Sequence, residues 1–444
     1  MNKEILRLAI PNVLSNISVP LLSSIDTALM GQLSGGHIAA VGLGGMAFNL
    51  IYWNFGFLRM GSTGLTAQAY GREAKSESAN ILGRAMIIAT LLAIMILLLQ
   101  YPLRLGSEWL LNVQSEQVAL VDSYFNIRIY AAPATLALMA IFGWFFGMQN
   151  AWFPLILTIL INALNMGVSY LLVVEYDYGI AGAAWGTVAA QYFGLILALA
   201  LLLYRYGWVR ELINRKALLL REELMPFLRV SSDIFLRTLC LTLSFTFFYN
   251  RANAMPGEFV VAANVVLLQL VNWLSYGVDG FAYAAESLVG KYYGRGEPQQ
   301  LSRAVKLSFI WGIGLGFVYL VAYALLGSPI LSLFIDAEAA AGVLETSLYY
   351  LPVVLAFCVL ATPCYIFDGI YIGLTASRAM RETMLLAFAG YLLTYYLIGR
   401  HYENWGLWGS LIAFMVLRAM LQWLWWPKII AARSSDNARH RNSN

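Results

Sequence analysis

Residues 85–99 read Ala-Met-Ile-Ile-Ala-Thr-Leu-Leu-Ala-Ile-Met-Ile-Leu-Leu-Leu, without one charged side chain. The run sits in an apolar stretch at about residues 82 to 103, long enough to cross a bilayer as a helix, which takes roughly 20 residues. Similar runs, such as Leu195 to Leu203, recur from one end of the 444-residue chain to the other. Hydrophobic residues make up 60% of the sequence and charged residues 12%, and the mean hydropathy is +0.68. A soluble domain carries about 25% charge, so lipid must be the solvent for most of this surface. The short alternating segments of a membrane β-barrel are missing. The sequence therefore predicts an all-α polytopic membrane protein.

Charged or glycine-rich breaks on either side of these runs mark twelve spans. They fall at about residues 8 to 31, 38 to 68, 82 to 103, 119 to 146, 152 to 174, 180 to 204, 229 to 250, 259 to 290, 307 to 328, 344 to 373, 383 to 399 and 405 to 427. The least apolar stretch divides the chain near its midpoint. This gives an amino-terminal six-helix lobe at 1–204, a linker at 205–228, a carboxyl-terminal six-helix lobe at 229–428 and a tail at 429–444. Twenty-one Lys and Arg residues fall in one alternate set of loops and ends, and only Arg104, Arg251 and Arg400 in the other. Cytoplasmic loops keep the positive charge, so the linker, the tail and both termini are expected in the cytoplasm, with the chain in a bacterial inner membrane. The apolar start has a signal-like charge but holds Pro11 and Pro20 and lacks a small-residue cleavage site, so it is expected to remain as the first span.

The halves echo one another. Gly71 and Gly294 occupy matching places in the blocks Ala-Tyr-Gly-Arg-Glu and Tyr-Tyr-Gly-Arg-Gly-Glu, and Trp185-Gly186 and Trp408-Gly409 repeat at the same spacing. Pro133, Gly143 and Gly147 find an echo in Pro352, Gly369 and Gly373. Six-span halves repeated in one orientation imply pseudo-two-fold symmetry about the membrane normal, a known transporter plan.

The motifs of common enzymes are missing. No phosphate-binding loop, zinc-protease helix or nucleophile elbow occurs. Cys240, Cys358 and Cys364 form no C-x-x-C pair, so neither a disulfide framework nor a metal site is expected, and no cofactor. The chemistry must instead lie in polar residues inside the spans. Arg59, Arg128, Arg237 and Arg418 lie there with Asp26, Asp233, Asp279, Glu286 and Asp368. Each costs at least about 2.5 kcal/mol at a helix centre, so each must face protein or water.

In the first half, Asp26 lies in a polar span that Pro20 interrupts, and proline kinks a helix. Asn162, Asn165 and Ser169 share one face of span five, and Thr187 and Gln191 stand one turn apart on span six. With Asp26 and Tyr130 they are candidates for one hydrogen-bonding pocket; plain interhelical packing is the alternative for any single amide. In the second half Asn272, Ser275, Asp279 and Glu286 share a face of span eight, with Arg237 and Asp368 available as partners. A charge network that takes part in coupling and a fixed ion-pair lock are both open for these residues.

Four blocks carry a family resemblance: Asn16 to Gly31 (N-I-S-V-P-L-L-S-S-I-D-T-A-L-M-G), Leu58 to Gly71 (L-R-M-G-S-T-G-L-T-A-Q-A-Y-G), Val278 to Glu286 (V-D-G-F-A-Y-A-A-E) and Phe367 to Gly373 (F-D-G-I-Y-I-G). In these the chain resembles the multidrug and toxic compound extrusion family, MATE, in its DinF branch. The resemblance implies two six-span lobes, a central cleft and export driven by a proton or sodium gradient. Asp26 matches the family's acidic residue on the first span, and Asn165 and Thr187 match polar residues of the amino-terminal pocket. Where several relatives have a second aspartate on span five, this chain has Ser169.

The expected function is secondary-active export of small amphipathic or cationic organic compounds, with a proton as the coupling ion and sodium as the alternative. A flippase for a lipid-linked precursor is the alternative within transport, and an intramembrane enzyme or receptor the alternative outside it. The expected partners are these small molecules and the bilayer, without nucleic acid, and the chain is expected to be a monomer.

Overall fold

Long apolar runs outside a closed barrel leave the backbone one solution in lipid, which is to satisfy its peptide groups within its own helix. The computed structural model describes the backbone of residues 1–31, 35–111, 113–218, 220–257, 259–335 and 341–442, and the side chains of these except 19–31, 35, 36, 38, 215, 341 and 431–442. Among the described residues every regular element is a helix. The first half contains α1 (Asn2–Gly31), α2 (Gly35–Asn54), α3 (Phe57–Gly71), α4 (Lys75–Leu98), α5 (Gln100–Leu110), α6 (Ser115–Arg128), α7 (Ala132–Gly147), α8 (Trp152–Tyr170), α9 (Gly179–Tyr206), α10 (Trp208–Leu212) and α11 (Arg215–Leu218). The second contains α12 (Arg221–Asn253), α13 (Val260–Arg295), α14 (Pro298–Ser332), α15 (Ala341–Leu360), α16 (Thr362–Gly373), α17 (Ser377–Leu397) and α18 (Glu403–Asn442).

Ten helical stretches among the described residues, from Lys75–Leu98 to Glu403–Ile430, are long and apolar enough to cross a membrane. They take the places of spans three to twelve. Helix α1 and the α2–α3 pair stand for the first two, giving the expected twelve-span helical fold. The end of the linker is itself helical, because α12 begins at Arg221, ahead of the apolar run that was expected to open near Arg229. Arg and Glu propagate a helix in water about as well as leucine does, so hydropathy marks where a span enters the membrane and not where its helix starts.

By packing the chain forms two units, one of residues 14–231 and one of residues 1–13 with 232–444. The division falls inside two continuous helices, α1 and α12. The core of the first unit gathers Trp144, Phe145, Leu138, Ile141, Leu157 and Tyr206 from α7, α8 and α9. In the second unit, the first turns of α1 pack with α13: a methyl on Gly280 would strike Val13 and the Ala9 carbonyl.

The internal repeat can be seen within each unit as one helix crossing built twice. In the first unit, a methyl on Gly143 would collide with the backbone of Arg59, and one on Gly147 with Thr66 and the Thr63 carbonyl. In the second unit Gly369 meets the backbone of Ala282, and Gly373 meets Val289 and the Glu286 carbonyl. Arg59, Thr63 and Thr66 are the counterparts of Ala282, Glu286 and Val289 at the spacing that relates Gly71 to Gly294. Small residues let helices in lipid approach backbone to backbone, which is why these glycines recur in both halves. The proline echo is corrected: Pro133 lies in the first turn of α7, as Pro363 lies in the first turn of α16, whereas Pro352 sits inside α15.

Candidate functional site

Helix α8 carries a polar seam on an otherwise apolar surface. Thr158, Asn162, Asn165 and Ser169 follow one another at helical spacing. The first two face α1: the Ser15 hydroxyl donates to Thr158 Oγ1 at 3.1 Å, and Asn162 Nδ2 donates to Ser18 Oγ at 3.3 Å. The next two face α9, where Asn165 Nδ2 donates to Thr187 Oγ1 at 2.9 Å, and Thr187 donates in turn to the Ala183 carbonyl at 3.2 Å. Ser169 is buried against Gly186, where any side chain would strike its Oγ and backbone. Gln191 lies half-buried one turn beyond Thr187. Tyr130 is half exposed, and its backbone carbonyl accepts a bond from the Tyr192 hydroxyl at 3.1 Å. The side chains of Pro20 and Asp26 lie outside the described residues; their backbone belongs to α1.

The second unit is built differently. Asp368, on α16, is enclosed by both arginines of the carboxyl-half spans. Arg237 from α12 and Arg418 from α18 both donate to its Oδ2, Arg418 at 2.6 Å, and Gln422 donates to Oδ1 at 2.8 Å. All four side chains are buried. Asp279 is half-buried on α13, close enough to Cys364 of α16 for electrostatic interaction, as are Arg237, Asp368 and Arg418. The structure thus brings Arg237, Asp368 and Asp279 into one neighbourhood. On the same face of α13 the Ser275 hydroxyl meets that of Tyr365 at 2.8 Å, and Glu286 is buried two turns beyond Asp279.

Asp233 belongs to a separate ion pair. Buried on α12, it accepts from Arg381 at 2.6 Å and from the Ser377 hydroxyl at 2.9 Å, joining α12 to the start of α17. Before the first span, Glu4 accepts from Lys291 at 2.8 Å and from the Tyr292 hydroxyl at 3.0 Å. Burial pushes the Glu4 carboxyl up, but the Lys291 hydrogen bond and charge and the Tyr292 hydroxyl outweigh it and hold the carboxyl below its ordinary value. Sequence reasoning missed Gln422 and Thr158 as members of these groups. The signal for Gln422 was its position one turn after Arg418 in an apolar span, and for Thr158 one turn before Asn162.

A polar seam in one half, a buried carboxylate network in the other, and duplicated glycine crossings in a twelve-span helical chain describe a carrier. The sequence profile of the MatE family matches residues 11–171 and again 234–398, and the second match follows the first at the spacing of the internal repeat. The chain belongs to the MatE family. Family membership, found twice over in step with the repeat, makes it a multi-pass membrane transporter of that family. It is 32% identical over 432 residues to DNA damage-inducible protein F of Escherichia coli strain K12, covering 94% of this chain and 90% of that one. It is 25% identical over 354 residues to the probable multidrug resistance protein NorM of Synechocystis, covering 75% and 73%. Among solved structures its fold is similar to that described as "Outward-facing conformation of a multidrug resistance MATE family transporter of the MOP superfamily", with a TM-score of 0.88 at 20% identity over 97% of this chain and 96% of that one.

Proposed function

We propose that this MatE-family transporter is a proton-coupled antiporter that exports small amphipathic organic compounds, cationic ones among them, across a bacterial inner membrane with both termini in the cytoplasm. Asp26 is the proton-carrying group, Pro20 the bend in its helix, and Asn162, Asn165, Ser169, Thr187, Tyr130 and Gln191 the surrounding pocket. The observation that carries the choice of ion is the occupancy of two of the second unit's carboxylates, Asp368 and Asp233. Asp368 is bonded by two arginines and Gln422, and Asp233 by Arg381 and Ser377. A sodium ion needs several oxygen ligands and would have to displace a guanidinium from either carboxylate, whereas a proton on Asp26 needs none of them. Asp279, Glu286, Asp368 and Arg237 then form a charge network that supports the carrier without loading the coupling ion.

Burial of a carboxyl group favours its neutral form. Protonation of Asp26 from outside would remove a charge and let the acid donate a hydrogen bond, which changes the bend that the first span prefers. Only a ligand that binds two bends unequally can shift their populations, and in this reading the proton is that ligand. The test uses purified protein in liposomes, with dye extrusion followed under an imposed pH gradient or an imposed sodium gradient. The pH gradient is expected to drive export, and Asp26→Asn, at equal insertion, to abolish it. Export driven by sodium alone overturns the coupling ion. An Asp26→Asn protein with the wild-type rate and pH dependence overturns the role of Asp26.

A further inference from the structure

Of the three arginines on the side that the loop charges mark as the outer one, Arg104 is paired with Asp122 at 2.9 Å and Arg400 is exposed, whereas Arg251 is half-buried in the last turn of α12. Positive residues are disfavoured on that side, so a half-buried one needs a reason. The helix dipole favours a cation in a last turn, which accounts for the sign of the charge and not for its setting. The Arg251 Cζ lies 5.4 Å from the ring centroid of Phe247, one turn earlier on α12, and 5.9 and 5.8 Å from those of Tyr395 and Tyr396 near the end of α17. Phe247 and Tyr395 themselves meet edge to face at 5.1 Å.

This guanidinium is only partly satisfied. Arg251 Nη2 donates to the Tyr396 hydroxyl at 3.1 Å, Nε is buried without a partner, and no carboxylate among the described residues reaches it. A phenol that accepts a bond keeps its own proton to donate, so guanidinium and hydroxyl together can bind one anion. Tyr396 is 44% exposed, and Leu386, Leu393 and Leu397 are exposed on the same face of α17. An exposed apolar stripe on a spanning helix faces acyl chains, and a tyrosine at its end belongs at headgroup level. The anion found at that depth beside acyl chains is the phosphodiester of a phospholipid, and arginine matches phosphate geometry. The same two helices show what is missing: near their other ends α12 and α17 are joined by the pair of Asp233 and Arg381 at 2.6 Å, whereas here only the cation is supplied.

We propose that Arg251 and Tyr396 bind the phosphate of an anionic phospholipid of the outer leaflet, with an acyl chain laid along Leu393 and Leu386. The leaflet rests on the sidedness proposed above, and the binding does not. Cation–π attraction to Phe247 and Tyr395 holds the guanidinium in place. The lipid phosphate supplies the negative charge that joins α12 to α17 at this end.

The test measures binding of dioctanoyl phosphatidylglycerol, of dioctanoylglycerol and of inorganic phosphate to the full chain in detergent. The phosphatidylglycerol is expected to bind and the headless dioctanoylglycerol to bind far more weakly; equal binding of the two removes the phosphate from the site and overturns it. Arg251→Gln should weaken phosphatidylglycerol binding about tenfold, the worth of one charge-assisted hydrogen bond, and Arg251→Lys should recover part of the loss. Tyr396→Phe keeps the ring and the charge and removes only the hydroxyl, so it serves if Arg251→Gln folds poorly; it should weaken binding about threefold. Unchanged binding in Tyr396→Phe and in every folded Arg251 variant overturns the proposal. So does Arg251-dependent binding of inorganic phosphate as tight as that of the lipid, which assigns the site to free anions. Glu258, between α12 and α13, lies outside the described residues. Glu258→Gln is expected to leave lipid binding unchanged, and tighter binding in that variant would make Glu258 the counter-charge of Arg251 and overturn the site. Because every readout is binding, a failure of dye export would count against the transporter reading and not against this site.

Discussion

The two halves share a fold and a repeat but fill their polar interiors in opposite ways. In the amino half, side chains on α1, α8 and α9 meet as neutral pairs: Ser15 with Thr158, Asn162 with Ser18, Asn165 with Thr187. In the carboxyl half, α12, α16 and α18 meet on one carboxylate held by two guanidiniums and an amide, and α12 and α17 on another. The residues that the crossing glycines meet recur at the spacing of the repeat, yet at that same spacing the counterpart of Arg418 is Leu195, and that of Gln422 is Leu199. A neutral hydrogen bond between helices in a membrane is worth about 0.6 kcal/mol on average, which is cheap to exchange. A buried ion pair that loses one partner costs about 3–5 kcal/mol. On that difference the amino half is expected to rearrange more readily than the carboxyl half.

The largest expected effect is at Asp368. Asp368→Asn leaves Arg237 and Arg418 facing one another without their common counter-charge, and should cost about 3–5 kcal/mol, seen as a large drop in the thermal unfolding midpoint in detergent. A midpoint close to wild type would mean that the network does not hold these helices. A pair of glycines at equivalent repeat positions gives the next contrast. Gly186→Ala forces a methyl into Ser169 and should cost about 1–3 kcal/mol. At Gly409 nothing lies within 4 Å of the added methyl, and alanine is the better helix former by up to about 1 kcal/mol, so Gly409→Ala should be neutral or stabilising. Equal effects at the two sites would remove the asymmetry between the halves. The smallest effect is the coupling between Asn165 and Thr187. A double-mutant cycle with Asn165→Ala and Thr187→Val should return about 0.6 kcal/mol in stability, while a value of several kcal/mol would make the amino half as locked as its counterpart.

Much of the architecture was legible in one dimension. Apolar runs located the spans, because a helix in lipid needs only its own sequence to satisfy its backbone. The repeat of Gly71 and Gly294 pointed to duplication before any crossing was visible. Arg128, Asp368 and Asn165 could each be recognised as polar residues in costly places. What the sequence left open was partnership. Glu286 and Asp233 stood equally as coupling groups and as locks, and only packing shows Asp233 on Arg381 and Ser377. Trp185 and Trp408 look alike in the repeat, yet the first is 46% exposed while the second is fully buried and donates to Asn264 Oδ1 at 2.8 Å.

The sequence by itself determined that this chain spans a membrane as duplicated helices with a few expensive polar groups, because hydropathy, helical period and repeat spacing are properties that can be read along the chain. Only the tertiary structure decided which charges meet. Asp368 finds Arg237 across 131 residues and Arg418 across 50, and those distances are closed by the packing of whole helices, for which no local pattern of residues is a record.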